Sequence, residues 1–146
     1  MKTLKITSDA FEPGGFIPSR YTCDGTDVNP SLRIFGIPEK AKSLAVIVDD
    51  PDAPAGNWVH WVVWNIPVTN LILENSVPGN EGMSDFGKRH YGGPCPPSGT
   101  HRYFFKVYAL DAELLLTSTS TKYDLENAMT PHVLAKGELE GVYKKD

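Results

Sequence analysis

Three stretches of this chain concentrate side chains able to do chemistry. The first is Asp49-Asp50-Pro51-Asp52-Ala53-Pro54, three carboxylates in a turn stiffened by two prolines. Proline fixes its own φ and biases the preceding residue to extended backbone, so the carboxylates are held and not left loose. Such a turn can equally do no more than cap its own amides, as aspartate does in many turns. The second stretch is Trp58-Val59-His60-Trp61-Val62-Val63-Trp64, an apolar run interrupted by one histidine. On a regular strand Trp58, Val62 and Trp64 share the face of His60. A histidine so placed is either a hydrogen-bonded core residue or part of a site, and in both cases needs a partner. The third stretch runs from Tyr91 through Gly92-Gly93-Pro94-Cys95-Pro96-Pro97-Ser98-Gly99-Thr100 to His101-Arg102-Tyr103. Its glycines permit close backbone approach to a ligand, and its prolines limit flexibility. His101 and Tyr103, two apart, face the same way on a strand. His90 and His132 have no comparable setting and read as surface residues.

Together His60, His101, Tyr103 and the glycine amides offer hydrogen bonds suited to a small oxyanion, phosphate above all. Asp50 would orient a histidine or accept from a ligand ammonium. Two histidines predict tighter anion binding near about pH 6 than near about pH 8. A hydrolase with Asp50 or Asp52 as base and His101 as acid is the enzymatic alternative. Nothing in the chain identifies a substrate for it, and a non-enzymatic role is favoured. A metal held by His60, His101 and the aspartates lacks any close ligand spacing, so no metal or cofactor is expected. A serine nucleophile at Ser98 lacks the Gly-x-Ser-x-Gly elbow.

These residues must be carried by strands. Leu4 to Thr7 and Leu32 to Phe35 read as short strands, with a weak extended piece over Ile17 to Thr22. Ser43 to Val48 is a continuous apolar run with a β-branched end, the pattern of a strand buried on both faces. Trp58 to Ile66 and His101 to Leu110 are two further long strands. Residues 76–99 hold ten of the 25 Gly and Pro residues and show no period, which marks a functional loop or a missed element. Thr121 is a helix cap for a segment with Tyr123, Leu125, Ala128 and Met129. Pro131 opens a second helical turn through Val133, Leu134 and Ala135, ended by Gly137 before a last strand over Leu139 to Tyr143. The expectation is a mostly β fold, a sheet sandwich with helices near the C-terminus.

The chain has 146 residues, the size of one domain, so residues 1–146 are read as a single unit. A net charge of −4 argues against nucleic-acid coating or a polybasic membrane patch. No apolar stretch approaches the about 20 residues of a membrane span, and the first residues lack the run of a signal peptide, so a cytoplasmic location is expected. Cys23 and Cys95 show no Cys-x-x-Cys spacing, and the sequence leaves open whether they pair. Gly and Pro together are about one residue in six, against about one in eight in ordinary chains, which favours short strands and structured loops.

Asp50-Pro51-Asp52-Ala53-Pro54, Trp58-Val59-His60-Trp61 and Gly93-Pro94-Cys95-Pro96-Pro97 running into His101-Arg102-Tyr103 resemble the phosphatidylethanolamine-binding protein family. The short bacterial and archaeal members, often labelled Raf kinase inhibitor-like, are the nearest in pattern. Thr22-Cys23-Asp24-Gly25, Asn29-Pro30 and the segment from His132 to Gly141 fit as well, so the resemblance spans nearly the whole chain. It implies a β-sandwich with a large central antiparallel sheet and a smaller sheet. It also implies a small pocket for phosphate-like anions or phospholipid head groups, walled by Asp50, Asp52, Pro54, His60, Pro97, His101 and Tyr103. The chain departs from the pattern at His90, where many short members have glycine. It also lacks the C-terminal helix that longer eukaryotic members place by the pocket, so a more open mouth is expected. A regulatory inhibitor acting through its surface on a kinase or protease is a further reading, and a homodimer fits short members. Kinase inhibition does not transfer on these motifs alone.

Overall fold

The computed structural model describes residues 2–145. Among the described residues nine strands form two sheets: β1 (Lys2–Thr3), β2 (Lys5–Thr7), β3 (Leu32–Phe35), β4 (Ser43–Asp50), β5 (Trp58–Ile66), β6 (Leu71–Ile72), β7 (Asn80–Glu81), β8 (Thr100–Leu110) and β9 (Val133–Lys144). The large sheet has the order β1-β9-β8-β4-β5-β7, and the small one β2-β3-β6. Every pairing between these strands is antiparallel except that of β1, which runs parallel to β9 at the sheet edge. The large sheet is therefore mixed, by one two-residue strand. Helix α1 (Lys122–Met129) lies on its outer face.

The apolar run of β4 is buried at all eight positions because both faces are covered. Leu44, Val46 and Val48 pack inward with Trp61, Val63, Phe105 and Val107 against Ile6, Leu32, Ile34 and Ile72 of the small sheet. Ala45 and Ile47 pack outward with Val62, Trp64 and Leu110 under Leu125 and Met129 of α1. Helix α1 starts where the sequence indicates: Thr121 and Asp124 form a reciprocal capping box. Among the described residues no helix is long and apolar enough to cross a membrane.

Two local expectations are corrected. Residues 19–21 form a 3-10 turn, not part of an extended piece. The second helical turn stops at His132, and Val133 to Ala135 open β9 instead. Ladder pairing overrides the local pattern there, with Ala135 matched to Ala109 on one side and Lys2 on the other. Gly137, expected to end a helix, sits mid-strand opposite Val107. A Cβ at that position would stand 2.1 Å from the Leu4 carbonyl oxygen, so only glycine lets the N-terminal segment cross so close to β9.

The long loop 76–99 has a structural task. Beyond β7, Gly82, Asp85 and Gly92 donate their amides to the carbonyls of Val62, Val59 and His60. The Asp85 carboxylate accepts from the Val59 amide at 2.7 Å, and Glu81 accepts from the Trp61 indole at 2.7 Å. The loop thus covers the open edge of β5 without forming a regular strand along it.

Candidate functional site

Adjacent carboxylates of the acidic turn part company because strand alternation sends them to opposite faces. Asp49 points outward and is buried, its Oδ2 accepting from Asn57 Nδ2 and Lys106 Nζ at 3.1 Å each, with Lys122 Nζ at 3.6 Å. Asp50 points inward, where its Oδ2 meets His101 Nδ1 at 2.7 Å and its Oδ1 accepts from the Asp52 amide at 2.7 Å. Asp52 takes a third direction. Its carboxylate accepts from the backbone amide, Nε and Nη2 of Arg102, each at 2.9 Å. That fork holds the Asp52 carboxyl down to about 2 and ties the turn to β8.

His60 owes its position to a β-bulge. Val48 pairs with Trp61 and Asp49 with Val59, so His60 is the extra residue between them. Two consecutive side chains, His60 and Trp61, consequently turn inward. Val62 and Trp64, expected beside His60, lie instead in the cluster under α1. Gly92 holds the bulge from both sides, its amide donating to the His60 carbonyl and its carbonyl 2.6 Å from His60 Nδ1. A carbonyl only accepts, so Nδ1 carries the hydrogen and Nε2 the lone pair. Burial pushes the His60 pKa below 6.5, opposed by the Gly92 bond and the charge of Asp50, which keeps the ring neutral.

His101 and Tyr103 share the inner face of β8, as their spacing indicates. Their rings stack at 6.4 Å, and Tyr103 meets His60 edge-on at 5.3 Å. The Tyr103 hydroxyl is buried and makes no hydrogen bond of ordinary geometry. Desolvation and the neighbouring Asp50 carboxylate push its pKa far above 10, so it stays a donor. Asp50, Pro54, His60, Pro97, His101 and Tyr103 line one cavity of about 200 Å³. Asp52 stands outside that cavity and braces its rim through Arg102.

The Pro94 to Pro97 wall is pinned by a disulfide between Cys23 and Cys95, which settles the pairing the sequence left open. Backbone bonds reinforce it: Cys23 N–H to the Pro94 carbonyl, and Gly93 N–H to Asp27 Oδ1 at 2.7 Å. Gly93 has no room for a side chain, since a Cβ would lie 2.1 Å from the Tyr21 carbonyl oxygen. Among the described residues no group of three or more His, Cys, Asp or Glu side chains is disposed to hold a metal.

A profile of the phosphatidylethanolamine-binding protein family matches residues 7–144. The chain belongs to this family. A UPF0098 protein of Methanothermobacter thermautotrophicus is 47% identical over 97% of this chain and 99% of its own length. One from Pyrococcus abyssi is 48% identical over 97% of this chain and 85% of its own. Among solved structures, the phosphatidylethanolamine-binding protein homolog CT736 of Chlamydia trachomatis superposes with a TM-score of 0.94 at 39% identity, covering both chains fully. E. coli YbcL, described as a new member of the mammalian family, superposes at 0.90 and 31% identity over 98% of this chain and 99% of its own.

In this member of the family the cavity has wall residues that sequence reasoning did not single out. Trp58 and Phe86 meet edge-on at 5.5 Å, and Phe86 packs on His60 at 5.1 Å. Ala53, Cys95 and Pro96 complete the apolar lining. Trp58 shares the face of His60 as a period of two predicts, though the sequence does not assign it to the pocket wall, and it pairs with Asp50 across β4 and β5. Phe86 is out of reach of that pattern: it comes from the aperiodic loop, and only the folded loop brings it over His60.

Proposed function

We propose that this chain is an anion-binding protein whose pocket receives a phosphorylated group, either a small phosphorylated molecule or a phospholipid head group. The observation that supports the reading is the convergence of His60, His101, Asp50 and the buried Tyr103 hydroxyl in one small cavity. Tyr103 faces Asp50 outside ordinary hydrogen-bond geometry, and a bound anion would offer its hydroxyl a better-placed acceptor. The apolar wall of Pro54, Trp58, Phe86 and Pro97 would shelter the group from water and strengthen each hydrogen bond to it. Titration with inorganic phosphate followed by NMR tests this. The expected result is saturable shifts at His60, His101 and Tyr103 at millimolar ligand, and their absence would defeat the reading.

The Asp50–His101 contact supports a second, enzymatic reading, because a carboxylate that orients an imidazole is the arrangement of a general base. Both side chains are nearly buried, at 5% and 9% exposure. Turnover of phosphomonoesters or phosphodiesters that disappears in Asp50→Asn would establish it, and a silent panel would retire it. As to compartment, a disulfide persists in oxidising surroundings or in cells that tolerate protein disulfides. Residence in the cytoplasm is proposed only for the latter kind of cell.

A further inference from the structure

The two halves of the Cys23–Cys95 bridge stand in unlike surroundings. Cys23 belongs to the exposed turn 23–26, whereas Cys95 is half-buried between the buried Pro94 and Pro96. The charges around the two sulfurs differ as well. Lys145, just beyond the end of β9, brings its Nζ to 3.8 Å from Cys95 Sγ, and among the described residues that sulfur is its one polar partner. Cys23 is followed instead by the Asp24 carboxylate, which accepts from the Tyr143 hydroxyl and is thereby fixed in place. Thiol–disulfide exchange favours attack at the more accessible sulfur and expulsion of the better-stabilised thiolate. An ammonium stabilises a thiolate, and a carboxylate does the reverse. Exposure and charge therefore select the same direction, with Cys23 attacked and Cys95 released.

We propose that this bridge is a directional thiol-exchange site, opened at Cys23 by a dithiol reductant. A thiolate of the reductant attacks Cys23 Sγ. The Cys23–Cys95 bond breaks as the new S–S bond forms, and the electron pair leaves on Cys95 Sγ beside the Lys145 ammonium. The reductant's second thiolate then attacks its own sulfur in the mixed disulfide and releases Cys23 as a thiolate. In sum two thiols of the reductant become a disulfide and the bridge becomes two thiols, with protons exchanged through water. The opened form keeps its shape, because hydrogen bonds also join the two segments. Cys23 N–H donates to the Pro94 carbonyl at 3.1 Å, Gly93 N–H to Asp27 at 2.7 Å, and the buried Tyr91 hydroxyl to the Tyr21 carbonyl at 2.8 Å. Cys95 accordingly stays beside Cys23, so re-closure is intramolecular and expels a monothiol. Only a dithiol completes the opening. The site goes beyond the anion-binding reading, and no step needs a ligand in the pocket.

The folded, oxidised protein is treated with cysteamine, 2-mercaptoethanol or 3-mercaptopropionate at equal thiolate concentration, then quenched at successive times with excess iodoacetamide for peptide mass mapping. In the earliest samples the thiol adduct is expected on Cys23 and the carbamidomethyl group on Cys95, in about threefold excess or more over the reverse. Rates divided by those on hydroxyethyl disulfide, a neutral reference, remove the intrinsic reactivity of each thiol. So corrected, the cationic thiol should react fastest and the anionic one slowest, because Asp24 flanks the sulfur attacked; attack at Cys95, beside Lys145, would reverse that order. Adducts shared equally between the two sulfurs, the reversed order, or exchange that proceeds only in urea would each overturn the proposal. Lys145→Gln should slow exchange about threefold, a difference that about 1 M salt should shrink. Lys144→Gln removes the same charge one residue away and should leave the rate unchanged. Equal slowing by both variants would reduce the effect to net charge and overturn the role given to Lys145. Dithiothreitol is expected to open the bridge fully with tryptophan fluorescence unchanged, whereas cysteamine leaves most of the protein closed. Loss of native fluorescence in step with opening would overturn an exchange site that works within the folded state.

Discussion

Replacing Cys23 and Cys95 together by serine separates what the disulfide does for the fold from what it does for the pocket. The bridge joins residues 72 apart. Closing a loop of that length removes about 4 kcal/mol of chain entropy from the unfolded state in the loop-closure treatment. The folded state loses less, because the same two segments are also joined by Cys23 N–H to the Pro94 carbonyl and Gly93 N–H to Asp27. The double variant should therefore fold, with an unfolding free energy lower by about 4 kcal/mol. With a urea slope of about 2 kcal/mol/M, the midpoint falls by about 2 M, and the slope itself rises because the freed chain exposes more surface. Phosphate affinity should change by less than about threefold, since no sulfur atom supplies a hydrogen bond to the cavity donors. Equilibrium urea unfolding followed by fluorescence of the three tryptophans measures the first effect, and phosphate titration the second. A stability loss below about 1 kcal/mol would refute the entropic argument and show that the unfolded chain already holds these segments together. A folded variant that no longer binds would refute the claim that backbone bonds suffice to shape the wall.

Three further outcomes follow from the same geometry. Burial depresses His60 below its unfolded value of 6.5, so its contribution to stability is complete above that pH and is lost as pH falls toward the folded pKa; unfolding free energies of the protein and of His60→Gln, compared from about pH 7.5 to about pH 5, should show a steeper acid-side loss with histidine, and parallel curves would contradict it. Asp52, held down to about 2 by Arg102, contributes stability that is present above 3.8 and lost as pH falls through about 2. Because the Arg102 side chain is 51% exposed, screening leaves about 1 kcal/mol, which Asp52→Asn should remove at pH 7 and which high salt should diminish. Gly93→Ala should cost at least about 2 kcal/mol in urea unfolding, since the obstacle is backbone that cannot rotate away, and a neutral substitution would mean the turn at Tyr21 is free to shift.

The parts of the fold that the sequence revealed are those governed by burial alone. β4 is apolar at consecutive positions because the small sheet covers one face and α1 the other, and no competing reading of Ser43 to Val48 exists. Thr121 marks its helix because capping is a local interaction across three residues. Val133 to Ala135 fail for the opposite reason. Their local pattern suits a helical turn, and what decides the matter is pairing with β8 and β1, more than twenty and more than a hundred residues away. The two-residue strands β6 and β7 are invisible for the same cause, as they are defined only by their partners.

The site shows the same division at finer scale. Alternation on β8 places His101 beside Tyr103 without any bulge between them, so a period of two was enough. On β5 one extra residue upsets that period, and counting in twos from His60 leads to Val62 and Trp64 on the wrong face. Three neighbouring aspartates, alike on paper, acquire three duties because alternation along β4 separates Asp49 from Asp50 and the turn redirects Asp52: Asp49 neutralises lysines beneath α1, Asp50 holds His101, and Asp52 clamps Arg102. What made these assignments illegible is that register is a property of two strands. The bulge also bears on chemistry as well as on geometry. By turning His60 and Trp61 inward together, it buries an imidazole whose only hydrogen goes to Gly92, and a ring so placed has a lone pair to offer and no charge. Two histidines predict anion binding that is strengthened by acid, and His60, held neutral by burial, takes part in any such site as an uncharged ring.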